Sequence, residues 1–443
     1  MLSRRLLFFA PSAYCLGGVQ VWLSDLVAGL QDDPRWQVQV ALPSGREHRL
    51  DRYREAYPQL PILPLLNPTG SAAGRRQAIF SLLQHYQPDL VVGVNIAELY
   101  PAVRRARRHG FQGRVVFSLH SLAADLLADV AAEADLLDAV IATNRLSCRL
   151  AECVGGIAAE RVLYAPCGAN WPSHADANPL VCACPPTGLR IAWVGRLEES
   201  QKRVQDLARI LQHLEAAGIR FHLTVAGDGS ERKRLALALE PWTHAGVVTL
   251  AGALTGTQLS REVYASHQVL LITSFWERGP IVAWEAMAAG LVVVSSAYIG
   301  SGLEGALRDG DNALLFPVGD AAAAAAAIAR LADLSLRRQL VAGGRQVVEQ
   351  RYNAKASQQA WVRAFEQVLA LPPRSKANPE PPISPSGRLD RLFGAVRAEW
   401  VRRRLGLGFR HTSPGGEWPH TAHGDTDEMA LLNLAAEIDH HHA

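Results

Sequence analysis

The 443-residue chain has little cysteine, little net charge and no long apolar run, and each shortage closes off a class of protein. Its six cysteines, at 15, 148, 153, 167, 182 and 184, lack the dense regular spacing of a secreted disulfide scaffold and read as free thiols in a reducing compartment. Cys182 and Cys184 have no second Cys/His pair nearby to complete a four-ligand zinc site. A formal charge of +3 on 48.0 kDa is too mild for a nucleic-acid binder, so no nucleic-acid partner is expected. Nowhere do about 18 apolar residues run uninterrupted, so no spanning helix is expected. The opening apolar stretch is cut off at Pro11, short of the roughly 7–15 residues of a signal-peptide core, and reads as a first strand. The expected location is the cytoplasm, with a peripheral position at the inner face of the membrane as an extension.

With 49% apolar residues, the length suits roughly two domains plus extras. Short runs rich in Val, Leu, Ile and Phe alternate with segments of helical period, the signature of parallel strands joined by crossover helices. The expected fold class is therefore α/β. Strands are predicted at Arg5–Ala10, Trp36–Leu42, Leu90–Val94, Arg114–Leu119, Ala139–Thr143 and Arg161–Ala165, then at Arg190–Gly195, Phe221–Ala226, Val247–Ala251, Val269–Thr273 and Leu291–Ser295. The predicted division is an N-terminal domain over 1–172, a linker over 173–189, a second domain over 190–352, a closing helix over 353–371, and a Pro/Arg-rich tail over 372–443 that is mostly disordered.

Chemistry concentrates where strands end. Arg196 and Lys202 follow the predicted strand ending at Gly195, at the carboxyl edge where open α/β sheets bind ligands, and two cations there suit a diphosphate. On spacing alone, a pair of solvated surface charges reads equally well. The segment Ser274-Phe-Trp-Glu277-Arg-Gly279-Pro280-Ile281 precedes a helix that Pro280 is placed to open, with Glu285 inside it. Such a helix aims free N–H groups at a phosphate, while Glu277 and Glu285 can accept hydrogen bonds from sugar and ribose hydroxyls. The plainer reading makes Glu285 an ordinary surface carboxylate. Gly17-Gly18 after the first strand permits close backbone approach to a pyrophosphate or acceptor, but it is not the G-x-G-x-x-G dinucleotide fingerprint. His120 ends a strand at the same kind of edge, as a candidate donor to the sugar or leaving phosphate or as a structural histidine.

Taken in order, Gly17-Gly18, His120, Pro166-Cys-Gly168-Ala-Asn170, Gly195-Arg196-Leu197 with Lys202, Ala226-Gly-Asp228-Gly229, Glu277 through Gly290, Gly302-Leu-Glu304, Asp309-Gly310 and Phe316-Pro-Val-Gly-Asp320 resemble the retaining glycosyltransferases of the GT-B fold, in the large fourth family (glycosyl transferases group 1). The resemblance covers about residues 5–371. It implies two Rossmann-like doubly wound domains facing a cleft, with a disordered or partly helical tail. It also implies a nucleotide-sugar donor as substrate and no cofactor or metal. In the site it implies, Gly17 and Gly18 lie beside the donor diphosphate with Gly18 lending its N–H. Arg196 and Lys202 neutralise the departing nucleotide, Glu277 holds the sugar, Glu285 the ribose, and His120 lies beside the sugar. Gly279, Pro280 and Ile281 complete the donor-binding turn. The leaving phosphate itself would accept the acceptor proton, so charge stabilisation matters more than a carboxylate nucleophile. Where the family often has Gly and Phe after the first glutamate, this chain has Arg278 and Gly279, which leaves the donor sugar open, and Ala313 replaces a common glycine. A non-catalytic GT-B subunit that activates a partner is the alternative, followed by a sugar-nucleotide epimerase or phosphorylase.

Three further features bear on partners. Between Arg388 and Arg410 lie seven arginines against Asp390 and Glu399, with Leu389, Leu392, Phe393, Val396 and Trp400 at helical spacing; the choices are a basic amphipathic helix on an anionic membrane, a helix packed on the body, or a solvated one. Arg104, Arg105, Arg107 and Arg108 read as a solvated helix face. Asp309/Asp311, Asp425/Asp427 and His440–His442 are too sparse for metal sites. The acceptor is unidentified.

Overall fold

A computed structural model describes residues 3–12, 17–44, 50–170, 188–374, 378–385, 387–409 and 418–440. The expected linker, Cys15, Cys182, Cys184 and Arg410 lie outside the described residues, apart from Gly188 and Leu189. The chain forms two compact units. The first comprises 1–143, 147–165 and 358–431; the second comprises 144–146, 166–357 and 432–443.

The first unit holds a seven-stranded sheet made of β1 (Arg4–Phe9), β2 (Trp36–Ser44), β3 (Ile62–Leu66), β4 (Leu90–Gly93), β5 (Arg114–Leu119), β6 (Ala139–Ala142) and β7 (Val162–Tyr164), ordered β3-β2-β1-β4-β5-β6-β7. Every pairing is parallel. β1, β4 and β6 are near-continuous apolar runs because helices cover both faces of such a sheet, and their inner residues are buried. β3 escaped the sequence reading: Pro64 interrupts its pattern, and an edge strand tolerates the missing donor. The closing helix Ala354–Ala370 contributes Trp361 and Phe365, both buried, to the core around Trp22 and Phe8.

The second unit holds a six-stranded sheet of β8 (Leu189–Val194), β9 (Phe221–Ala226), β10 (Val248–Gly252), β11 (Val269–Ile272), β12 (Val292–Ser296) and β13 (Ala313–Phe316), again all parallel and ordered β10-β9-β8-β11-β12-β13. β13, four residues long, was not among the predicted strands. Both sheets carry the 3-2-1-4-5-6 order of a doubly wound Rossmann unit, with a switch point between β1 and β4 in the first and between β8 and β11 in the second. At Gly227 the chain leaves β9 at φ +154°, and a Cβ there would lie 1.8 Å from the Gly195 carbonyl, so only glycine fits.

Two expectations need correction. Arg104 and Arg107 do not form a solvated face: Arg104 is buried and bonds Glu133 and Asp135, and its guanidinium holds the Asp135 carboxyl down at about 2. Arg107 pairs with the buried Asp138 at 3.0 Å. Helices at Arg388–Phe393, Ala395–Leu405 and Glu428–His440 occupy much of the region expected to be mostly disordered. The basic stretch is two helices rather than one, because Gly394 takes φ +75° between them. The third helix is anchored by Asp439, whose carboxylate accepts from the backbone N–H groups of Gly300, Gly302 and Leu303 at 2.7–3.1 Å. Three backbone donors satisfy a buried carboxylate that apolar area alone would not order.

Candidate functional site

In the second unit the loops after β8 and β11 meet at the switch point. Trp193 Nε1 donates to Thr273 Oγ1 at 3.1 Å, Thr273 Oγ1 donates to the Lys202 carbonyl at 2.7 Å, and Phe275 N donates to the Gln201 carbonyl at 2.7 Å. These bonds fix the loop carrying Arg196 and Lys202 against the loop carrying Glu277. Lys202 Nζ pairs with Glu277 Oε1, with both heads largely out of solvent. Ser274 Oγ donates to the same oxygen at 2.7 Å, and the Glu277 N–H is held by the Ile299 carbonyl at 3.1 Å. Arg196 is exposed and steadied by Gln201 Oε1 at 3.1 Å, while the Gln201 amide also donates to the Trp276 carbonyl at 3.3 Å. A third cation joins them: the half-buried Arg278, whose pKa burial lowers and Glu277 raises, is also close enough to feel Arg196.

Gly279 turns the chain at φ +105°, a conformation open to glycine, and the helix Ile281–Ala289 follows. Pro280 is its N-cap rather than its first residue, and no side chain caps the first turn, so the helix offers bare backbone donors and its positive dipole end. Glu285 lies on this helix with its carboxylate fixed by Tyr264, whose hydroxyl donates to Oε2 at 2.8 Å. Burial and the adjacent Glu285 push the Tyr264 phenol well above its ordinary value, which keeps it protonated as a donor. Trp284 stacks on Tyr352 at 4.0 Å and fixes the rotation of the helix. Next to these loops Phe275, Ile299, Leu315, Phe316, Leu432 and Ala436 line a cavity of about 680 Å³.

The second unit thus brings together Arg196, Lys202, Glu277, Gly279, Pro280, Ile281 and Glu285. Gln201, Ser274 and Tyr264, which orient them, were missed because polar residues of these types carry no signal until the two loops are folded against each other. Gly17, Gly18 and His120 belong to the first unit. Gly17 is the N-cap of the helix Gly18–Gln31, beyond the carboxyl end of β1, and no side chain caps it. His120, directly after β5, is 2% exposed. Its ring lies 4.2 Å from that of Trp22 and stacks on Trp361, and its Nε2 is 2.6 Å from Ser118 Oγ. Among the described residues no three His, Cys, Asp or Glu side chains converge as a metal site would require.

Comparison with known proteins bears on this arrangement. Residues 188–333, a stretch within the unit that carries the paired loops, match the family described as glycosyl transferases group 1. Among solved structures, sucrose-phosphate synthase from Thermosynechococcus elongatus superposes with a TM-score of 0.66 at 21% identity, covering 83% of this chain and 99% of that one. Alr3699/HepE of Anabaena in complex with UDP gives a TM-score of 0.64 at 18% identity over 82% of this chain and 99% of that one. This chain has the GT-B fold. Among curated proteins, the phosphatidyl-myo-inositol mannosyltransferase of Mycobacterium leprae is 31% identical over 207 residues, 46% of this chain and 53% of that protein. The GT-B chain spans between 37% and 53% of the length of the curated relatives it matches. Among the described residues no helix is long and apolar enough to cross a membrane.

Proposed function

We propose that this chain is a glycosyltransferase that moves a sugar from a nucleotide-sugar donor to an acceptor with retention of anomeric configuration. The observation that carries the reading is the Lys202–Glu277 pair, with Arg196 beside it, at the β8/β11 switch point. A donor entering there presents its diphosphate to Arg196, Lys202 and the uncapped helix at Ile281, its sugar hydroxyls to Glu277, and its ribose hydroxyls to Glu285. The acceptor oxygen bonds to the anomeric carbon from the face the phosphate leaves. The C–O bond to the phosphate breaks, and the phosphate oxygen takes the acceptor proton. Arg196 and Lys202 then lower the barrier by holding the charge that develops on the departing diphosphate. By this reading, which for Gly17, Gly18 and His120 rests on the family resemblance alone, those three residues serve the same reaction, and no metal is needed. The similarity to a protein solved with UDP supports a nucleotide-linked donor. The acceptor belongs to the glycan, lipid-linked or small-molecule classes.

The test is a screen of labelled UDP- and GDP-sugars in EDTA, scoring donor hydrolysis as well as transfer. One donor should turn over, and Glu285→Ala should lower kcat/KM about ten- to a hundredfold, the worth of hydrogen bonds to a charged acceptor, with the melting temperature nearly unchanged. No donor binding by calorimetry would reject the reading in favour of a non-catalytic GT-B subunit. Turnover that requires added metal would reject its metal-free form.

A further inference from the structure

The helices Arg388–Phe393 and Ala395–Leu405 form a hairpin that turns the wrong way round for a soluble protein. Its two carboxylates and one of its arginines, Arg402, point inward. Arg402 and Asp390 form an ion pair at 2.7 Å with side chains 4% and 3% exposed. Glu399, also buried, accepts from the hydroxyls of Thr69 at 2.7 Å and Ser71 at 2.5 Å, and from Arg403 Nε at 2.6 Å. Ser71 is the N-cap of the helix Ala72–Tyr86, so Glu399 also meets the positive end of that dipole. These bonds fix the hairpin to the first unit and decide which face is left over.

The outward face is apolar and cationic. Leu392, Phe393, Val396, Trp400 and Leu405 are each more than half exposed, and Leu407 continues the patch at 44%. Arg388, Arg391, Arg397 and Arg404 are exposed among them, and among the described residues no carboxylate pairs with these four. Both acids of the hairpin are spent on the inward face. A soluble surface of this size normally puts its charges out and its leucines in, so the inversion calls for an environment that is apolar a few ångströms deep and anionic at its rim.

We propose that this hairpin is a docking surface for an anionic lipid bilayer, with Phe393, Val396, Trp400 and Leu405 entering the headgroup–acyl boundary and the four arginines meeting lipid phosphates. Arg404 lies over the Trp400 ring at 5.4 Å, so the cation and the interfacial aromatic reach the surface as one unit. The Asp390–Arg402 and Glu399 anchors keep the patch presented before any lipid is met, which removes the folding cost that a disordered basic tail would incur on binding. The inference does not depend on glycosyl transfer; a chain without that activity would dock in the same way.

The test is co-sedimentation of the full chain with vesicles of phosphatidylcholine alone and of phosphatidylcholine mixed with phosphatidylglycerol. The chain should partition onto the mixed vesicles, and more weakly as salt rises. The pair Arg397→Glu and Arg404→Glu should lower partitioning at least about tenfold, given about 1 kcal/mol for each basic residue near such a surface. Phe393→Ser with Trp400→Ser should lower it comparably, and brominated lipid should quench the tryptophan emission of the parent chain more than that of the variant. All four positions are exposed, so melting temperature and donor hydrolysis without vesicles should match the parent chain; those readouts report on the catalytic reading separately. Equal binding to neutral and mixed vesicles, variants that partition like the parent, or a concentration-dependent dimer that the serine variants abolish would each overturn the proposal, the last by making the patch an interface between copies.

Discussion

His267, two residues before β11, is 1% exposed and its ring is held by polar contacts: Nδ1 is 2.7 Å from the Val263 carbonyl and 3.0 Å from Ser266 Oγ, and Nε2 is 2.8 Å from Thr224 Oγ1. The carbonyl requires a proton on Nδ1, and in the neutral ring that burial favours, Nε2 accepts from the Thr224 hydroxyl. Burial lowers its pKa from 6.5 to about 4, and nearby Arg190 and His222 act in the same direction. Between these values the unfolded chain binds a proton that the native ring does not, so this residue makes stability fall as pH drops through 6.5 towards 4. Its share at pH 5 is about 2 kcal/mol. Urea unfolding at pH 7 and pH 5 should show that loss, and His267→Gln should remove most of the difference; an unchanged slope in the variant would refute the assignment. At the same scale, Arg196, Lys202, Glu277 and Glu285 were legible because spacing from a strand end places them, whereas Tyr264 was not, since it reaches Glu285 from another segment. Nor could sequence say that Lys202 is the partner of a buried carboxylate. Removing Lys202 strips Glu277 of its counter-charge as well as the donor of its cation, so Glu285 is the cleaner position for testing chemistry.

At the scale of elements, two glycines separate the cost of backbone strain from that of steric overlap. Gly246 has φ +73° with nothing near its missing Cβ, whereas Gly227 has φ +154° and the Gly195 carbonyl 1.8 Å away. Gly246→Ala should cost about 1 kcal/mol in urea unfolding, the strain of a left-handed residue. Gly227→Ala should push β8 and β9 apart and yield no soluble folded protein, because the clash is with backbone that cannot rotate away. A well-behaved Gly227→Ala protein with the parent's midpoint would refute this. Helical spacing in the tail correctly grouped Leu392, Phe393, Val396 and Trp400, yet spacing alone cannot tell which face turns inward. That is decided by Thr69 and Ser71, more than three hundred residues away in sequence, whose hydroxyls capture Glu399. β3 was lost for a different reason: Pro64 breaks its pattern, and only an edge position lets a strand keep it.

For the whole molecule, the alternation of strands and helices announced two Rossmann units, but not that they are interlaced along the chain. The closing helix reads as an independent last element, whereas its residues from Gln358 onward belong to the first unit and supply Trp361 and Phe365 to the core of β1. A fragment of residues 1–172, the expected first domain, should therefore lack a cooperative urea transition by circular dichroism, because Trp22 and Phe8 lose their partners. A sharp transition in that fragment would show the first unit to be self-sufficient. The same interlacing orders events on the ribosome. Chains are made N-terminus first, and domains usually close in that order. Here the earliest-made sheet must wait for Trp361 and Phe365, by which time nearly all of the second unit has emerged. The part synthesised later is thus able to close first, leaving β1, β4 and β5 as the stretch most in need of protection while the nascent chain is still growing.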